Sequence, residues 1–388
     1  FIGSNILYES GERWRRHRKI ANPAFHRSMP VELFGRLSHK LFEVMDETGP
    51  VVNFENLTTR WTLDALGLAG FDFDFQAIVS ESSPWVRTYE SINTGMFQTL
   101  YILFPFLERY FLWLLPKRHK QHQDLTELLD LMRSMVEKKQ AAFAEGAKSN
   151  IKDNEKDLLT LMIEQSEDEG GILSNEELMS NLCVFLLAGH DTTSSALAYA
   201  AYYLAINPDI QEKARQEAIS VFGDEPHDVL PTVEETKNMP YINQIIKETL
   251  RINPPVSTMT SRICVKDTVV NDTVIPKGAR VAVNVYELHH NEEYWHSPLI
   301  FNPDRFAPGG EAELLASTGV AYMPFGTGSR HCIGMNFSLA EQRVLLPLLL
   351  RKYTWSLPED SPHKDHVITT GSGVIRPIDL KIKFQKRY

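Results

Sequence analysis

Cysteine is scarce in this chain: Cys183, Cys264 and Cys332 are the only three in 388 residues. Their odd number and wide spacing exclude a disulfide framework and any C-x-x-C zinc pattern, and suit a reducing compartment. Also missing is any run of about 18 or more uncharged apolar residues, so no segment reads as a spanning helix. There is no surplus of positive charge. Forty Lys and Arg stand against 50 Asp and Glu, and a net charge of -10 argues against nucleic acid as a partner. The chain opens on Phe1-Ile-Gly-Ser-Asn without a methionine or a secretory leader, and the expectation is that an amino-terminal part lies upstream. Internal repeats and low-complexity tracts are absent as well.

What is present is ample material for one large core, with 43% hydrophobic and 10% aromatic residues. The pattern is mainly helical. A basic helix starts at Ser10 and is expected to end at or just before Pro23. Two amphipathic helices follow between 30 and 70, parted by Thr48-Gly49-Pro50, and helices resume over 84–145. Residues 145–156 are polar and aperiodic and read as a loop within one domain. The longest helix spans 174–206, opened by a Ser174/Glu177 capping box and closed by Asn207-Pro208. Helices over 208–222 and 241–252 precede a strand-rich stretch from 256 to 286. A long irregular loop to 331, a helix over 333–352 and a strand-like tail complete the chain.

Several stretches depart from plain packing. Trp14 and Arg18 are four residues apart and share a helix face, while Arg13, Arg15, Arg16 and Lys19 face outward. Either this is a solvated basic helix, or Trp14 and Arg18 reach a buried anion and the outer cations suit an acidic partner. Leu100–Pro116 is apolar and aromatic but broken by Pro105, Glu108 and Arg109, with Lys117-Arg-His-Lys behind it. It reads equally as a core segment or as a surface that dips into a lipid interface. In the middle of the long helix, Gly189, Asp191, Thr192 and Thr193 are costly choices, which marks a site or a kink stabilised by Thr back-bonding. Glu248 and Arg251 can pair on one helix face, which in isolation is a weak surface pair. Cys332 lies between Gly328 and Gly334, directly after Arg330 and His331, and such a setting invites a metal.

On these residues the chain resembles the cytochrome P450 family. Phe325-x-x-Gly328-x-Arg330-x-Cys332-x-Gly334 is similar to that family's haem-binding loop, and Glu248-x-x-Arg251 to its K-helix pair. Ala188-Gly-His-Asp-Thr-Thr193 resembles the oxygen-activating helix, Trp14-x-x-x-Arg18 the C helix, and Pro303-Asp-Arg-Phe306 the segment ahead of the haem loop. The resemblance covers 1–388 and implies a single P450-type haem-binding domain, mainly α with a minor β region. It also implies that the first strands, the roof loop and any membrane anchor would precede Phe1.

The resemblance implies haem b, with the Cys332 thiolate as proximal iron ligand and Phe325 and Gly334 beside it. Trp14, Arg18, Arg262 and Arg330 are then the partners of the haem propionates. Glu248, Arg251 and Arg305 become a buried network bracing the cysteine loop, where breaking one member would cost about 3–5 kcal/mol. Gly189 leaves room beside the helix, and Asp191 with Thr192 form an acid–alcohol pair that delivers protons during oxygen activation. Being adjacent, the two need a water or a helix distortion to act together. The implied activity is a monooxygenase acting on a lipophilic small molecule, with NADPH electrons arriving through a P450 reductase near Arg15, Arg16 and Lys19. The substrate would be a terpenoid, fatty acid or xenobiotic shaped by residues near Phe97, Val184, Phe185 and Val256. The implied location is the cytosolic face of the endoplasmic reticulum membrane in a eukaryote, of fungal type. A haem-thiolate isomerase or peroxide-rearranging enzyme, or a non-catalytic haem-binding protein, stand as alternatives.

Overall fold

The computed structural model describes residues 3–27, 29–81, 83–96, 98–144, 156–170, 173–316, 320–371 and 373–388. The expected loop at 145–156, apart from Lys156, and the expected substrate-side Phe97 lie outside the described residues. In chain order the helices are α1 (Gly11–His26), α2 (Val31–Thr48), α3 (Phe54–Leu66), α4 (Pro84–Met96), α5 (Thr99–Leu103), α6 (Phe106–Phe111) and α7 (Pro116–Ala144). They continue with α8 (Leu158–Asp168), α9 (Asn175–Ile206), α10 (Pro208–Phe222), α11 (Val233–Lys237), α12 (Pro240–Ile252), α13 (Val285–His290), α14 (Glu311–Ala316) and α15 (Met335–Lys352). The strands are short: β1 (Val51–Asn53), β2 (Arg262–Ile263), β3 (Thr268–Val270), β4 (Thr273–Ile275), β5 (Arg280–Val281), β6 (Tyr353–Ser356) and β7 (Lys381–Lys386). They form antiparallel groups in the orders β1-β7-β6, β2-β5 and β3-β4, so the fold is mainly α with a minor β part.

Helix α9 is the axis of the fold. At 1.5 Å per residue its 32 residues span roughly 48 Å. Its start is held by the reciprocal capping box: Glu177 N–H donates to Ser174 Oγ at 3.2 Å and Ser174 N–H to Glu177 Oε2 at 3.0 Å. Residues on all of its sides are buried, as expected of a helix apolar around its whole circumference. Gly189 lets α3 come close, because a Cβ there would lie 2.9 Å from Leu66 Cδ2. The room that Gly189 leaves is therefore partly taken by Leu66. Against α9 packs α15, whose stretch Val344–Leu350 is fully buried.

The structure corrects several expectations. Pro23 lies inside α1, which runs on to His26 before Arg27 turns extended. Only a short final turn follows the proline, so the lost N–H interrupts little. Ser10 sits at the helix start, but its hydroxyl makes no cap. A short strand, β1, separates α2 from α3 because its partner β7 comes from the far end of the chain. The strand expected through Tyr286 stops at Val281. Asn284 accepts from Glu287 N–H at 3.2 Å and starts α13 instead. The expected irregular loop from 287 also contains α14 and 3-10 turns at Pro303–Phe306 and Gly328–Arg330. The core reading of Leu100–Pro116 fails, because Phe106, Tyr110, Phe111 and Leu114 are exposed and Trp113 is 75% exposed.

Candidate functional site

The loop from Phe325 to Gly334 is folded by two glycines. Gly326 and Gly328 both adopt φ +70°, a left-handed conformation that L side chains rarely take. The chain doubles back, and Cys332 N–H donates to Phe325 O at 2.8 Å. Cys332 is thereby set just ahead of the first turn of α15. The backbone N–H groups of Gly334 and Met335 and the Arg18 guanidinium favour its thiolate. Burial outweighs them and pushes the thiol up. Cys332 nevertheless has accessible area, because it lines a cavity. The protein alone leaves the thiol protonated, and a bound metal ion would be what ionises it.

The cavity has a volume of about 330 Å³ and is mainly apolar. It brings together Trp14, Arg18, Gly189, Thr192, Arg262, Phe325, Arg330, Cys332 and Gly334. Val184, Phe185 and Val256 also line it. Arg18 donates to His331 O at 3.0 Å. Arg330 donates to Glu9 O at 2.9 Å and stacks over the Trp14 ring, 4.2 Å from its centre. Burial, and then repulsion from Arg262 and Arg18, holds the Arg330 guanidinium below its usual range. Among the described residues none of these three arginines has a carboxylate at ion-pair distance. Arg18 is buried and Arg330 half-buried, so charges held there without a carboxylate call for an anion, and the exposed Arg262 adds to their field. At Gly334 an added Cβ would find only Cys332 Sγ and Phe25 Cε1, both at 4.0 Å, so no protein neighbour demands the glycine. A thiol donor, apolar walls and three unmatched guanidiniums fit a flat apolar macrocycle that carries iron and two carboxylates. These residues therefore fit haem.

Behind the loop lies a buried ionic network. Glu248 and Arg251 are 0% exposed and pair through Nε to Oε2 at 2.7 Å and Nη2 to Oε1 at 2.9 Å. Arg305 Nε donates to Glu248 Oε1 at 3.3 Å, and Arg305 also pairs with Glu311. Arg251 donates further to His289 O at 2.8 Å and Pro298 O at 2.7 Å. His289 carries the connection to the cysteine loop, accepting from Met323 N–H on Nε2 at 2.9 Å, while its Nδ1 contacts Arg251 O at 3.1 Å. Burial depresses its pKa to about 3, so it stays neutral and can accept. His289, and Trp295 beneath Arg251, were not singled out by the sequence; both lie in what reads there as irregular chain.

On the opposite wall, Thr192 and Thr193 back-bond to Ala188 O at 2.9 Å and Gly189 O at 3.2 Å. Thr192 faces the cavity, but Asp191 does not line it. Asp191 is 2% exposed and accepts from Tyr89 Oη at 2.9 Å and Asn93 Nδ2 at 2.8 Å on α4. The outward cations of α1 remain accessible, yet Arg15 pairs with Glu12, Arg16 with Glu177 at 2.9 Å and Lys19 with Glu169.

A family model described as cytochrome P450 matches residues 1–384. The chain belongs to the cytochrome P450 family. It is 29% identical over 412 residues to cytochrome P450 3A12 of Canis lupus familiaris, covering 99% of this chain and 76% of that one. It is 29% identical to cytochrome P450 4F3 of Homo sapiens, over 91% of this chain and 69% of the relative. Leukotriene-B4 omega-hydroxylase 3 of Mus musculus is also 29% identical, over 93% and 70% of the two chains. The crystal structure of the cytochrome P450DA heme domain superposes with a TM-score of 0.81 at 25% identity, covering all of this chain and 81% of that one. The fold is therefore the P450 fold, and membership brings the family's general activity, that of a haem-thiolate oxygenase of monooxygenase type.

Proposed function

We propose that this protein is a monooxygenase that places one atom of dioxygen on a lipophilic small molecule, with Cys332 as the proximal haem ligand. The observation that carries this reading is the position of Cys332 in an apolar cavity beside three guanidiniums without carboxylate partners. Trp14, Arg18, Arg262 and Arg330 would hold the propionates, and Phe325 and Gly334 would border the sulfur. When bound, haem supplies reductive activation of dioxygen, with the second oxygen atom leaving as water. Glu248, Arg251 and Arg305 keep the loop in place through His289. Thr192 presents a hydroxyl to the cavity beside Gly189, and Asp191 supplies its protons after turning from α4.

Electrons would come from NADPH through a flavoprotein reductase docking near Arg15, Arg16 and Lys19. These cations are 68%, 44% and 58% exposed in ion pairs of a kind worth little in water, so an acidic partner can compete for them. The exposed aromatic rings of α5–α6, with Arg109 and Lys117 beside them, suit a lipid interface at the cytosolic face of the endoplasmic reticulum. Apolar walls at Val184, Phe185 and Val256 favour a lipid-like substrate, in keeping with the omega-hydroxylase named among the relatives.

The test is a reduced carbon monoxide difference spectrum. Wild-type holoprotein should give the Soret band of thiolate-ligated haem, and Cys332→Ser should lose it while keeping native circular dichroism. A thiolate-type band that survives Cys332→Ser would overturn the assignment.

A further inference from the structure

Behind the cysteine loop lies a second cavity, larger than the first at about 970 Å³. The chain leading into that loop has a cavity on either side. Pro324 and Phe325 line the first, whereas Tyr322 and Thr327 line the second. The remaining walls come from α12, α14, α15 and the 3-10 turn at Pro303–Phe306.

Two cations stand there without a counter-charge. Arg343 on α15 is half-buried, and burial lowers its pKa with no carboxylate acting against it. Its Nε donates to Asn243 Oδ1 at 2.6 Å, and that amide is oriented by its own Nδ2 donating to Met239 O at 2.8 Å. The two terminal guanidinium nitrogens have no hydrogen-bond partner among the described residues. Lys247 on α12 is exposed, 5.9 Å from the centre of the Phe306 ring, and likewise has no carboxylate at ion-pair distance among the described residues. The other charged residues of the lining are engaged. Lys237 pairs with Glu234 at 3.1 Å, and Glu313 accepts from Gly309 N–H at 2.8 Å. Beside the cations runs an aromatic wall. Phe306 stands edge-on to Tyr322 with ring centres 4.9 Å apart, and is tilted against Trp295 at 6.0 Å. A guanidinium with its forked N–H groups free is matched best by a carboxylate, and an aromatic wall by a flat apolar body.

We propose that this cavity binds an aromatic carboxylate, its charge on Arg343 and Lys247 and its ring against Phe306 and Tyr322, and that occupancy steadies the cysteine loop. Tyr322 stacks on His289 with centres 5.4 Å apart, and the next residue, Met323, donates its N–H to the same imidazole. Tyr322 Oη also donates to Lys247 O at 3.1 Å. A ligand held between α12, α15 and this stretch ties both helices to the loop. It binds the closed loop better than an open one, and so favours the closed state.

The experiment is titration calorimetry on the holoprotein with 2-naphthoate, its neutral amide and acetate. Arg343→Gln should weaken 2-naphthoate roughly ten- to a hundredfold, and Arg343→Lys less. Lys247→Gln, at an exposed position, should weaken it by a smaller factor and keeps the test open if Arg343→Gln does not fold. The amide and acetate should each bind at least about tenfold more weakly than 2-naphthoate. At saturation 2-naphthoate should slow haem transfer to apomyoglobin about tenfold in wild type, an effect that Arg343→Gln abolishes at the same concentration. No binding, or an affinity unmoved in both Arg343→Gln and Lys247→Gln, overturns the site. Acetate binding as tightly as 2-naphthoate overturns the aromatic class, and points to a carboxylate from any source, an acidic side chain of a partner included. Equal transfer rates with and without 2-naphthoate overturn the steadying of the loop.

Discussion

The two walls of the cavity are built by opposite means. The cysteine side rests on charges removed from water. Glu248 and Arg251 are wholly buried and joined through His289 to the backbone just before Phe325. The far side is α9, and the segment from α4 to α7 that packs behind it includes the short helices α5 and α6, which leave most of their aromatic rings in solvent. A buried ion pair is costly to form and costlier to break, so it suits a loop that must keep one geometry. Exposed apolar rings gain nothing in water and gain when covered, so they suit a surface that meets another phase. The difference separates a part that must not move from a part that contacts the surroundings. Tyr89 and Asn93 are where the two regimes touch, since they tie α4 to Asp191 on the central helix.

Breaking the rigid wall should have the largest effect. Arg251→Met leaves Glu248 buried with a weakened set of donors and should destabilise the protein by about 3–5 kcal/mol. Urea unfolding of the holoprotein measures it, and a loss under 1 kcal/mol would show that the brace is dispensable. A smaller effect is expected where the wall meets the cofactor. Arg18→Gln and Arg330→Gln each remove one cation from the unmatched cluster and should speed haem transfer to apomyoglobin roughly ten- to a hundredfold, about 1.5–3 kcal/mol each. Transfer rates equal to wild type would remove both from the propionate set. The smallest effect on stability should come from the outer surface. Trp113→Ser should shift unfolding by no more than about 0.5 kcal/mol. It should nevertheless weaken binding to phospholipid vesicles about tenfold, as the loss of one buried aromatic predicts. Unaltered vesicle binding would show that this patch does not enter lipid.

Much of the rigid wall is legible in the chain because its signals are local. The glycines at 326 and 328 and the Glu248-x-x-Arg251 spacing each act within a few residues. The same holds for α9, whose start depends on Ser174 and Glu177 alone. His289 and Trp295 escape the sequence because Arg251, which both contact, lies 38 or more positions away, and they stand in a stretch with no clear periodicity. The cations of α1 look free in the sequence for a similar reason. Arg16 finds Glu177 across 161 positions and Lys19 finds Glu169 across 150. Apolar composition alone could not tell whether 100–116 is core or surface, because a buried segment and a lipid-facing one use the same residues.

The sequence by itself determined the order of the long helices, the family and the residue types of the cavity. Periodicity, caps and motif spacing act over one or two turns and need no distant partner. Only the tertiary structure decided that three arginines without carboxylates meet beside Cys332, and that Asp191 turns from the cavity toward α4 and His190. Direction and pairing depend on side chains brought together from remote parts of the chain.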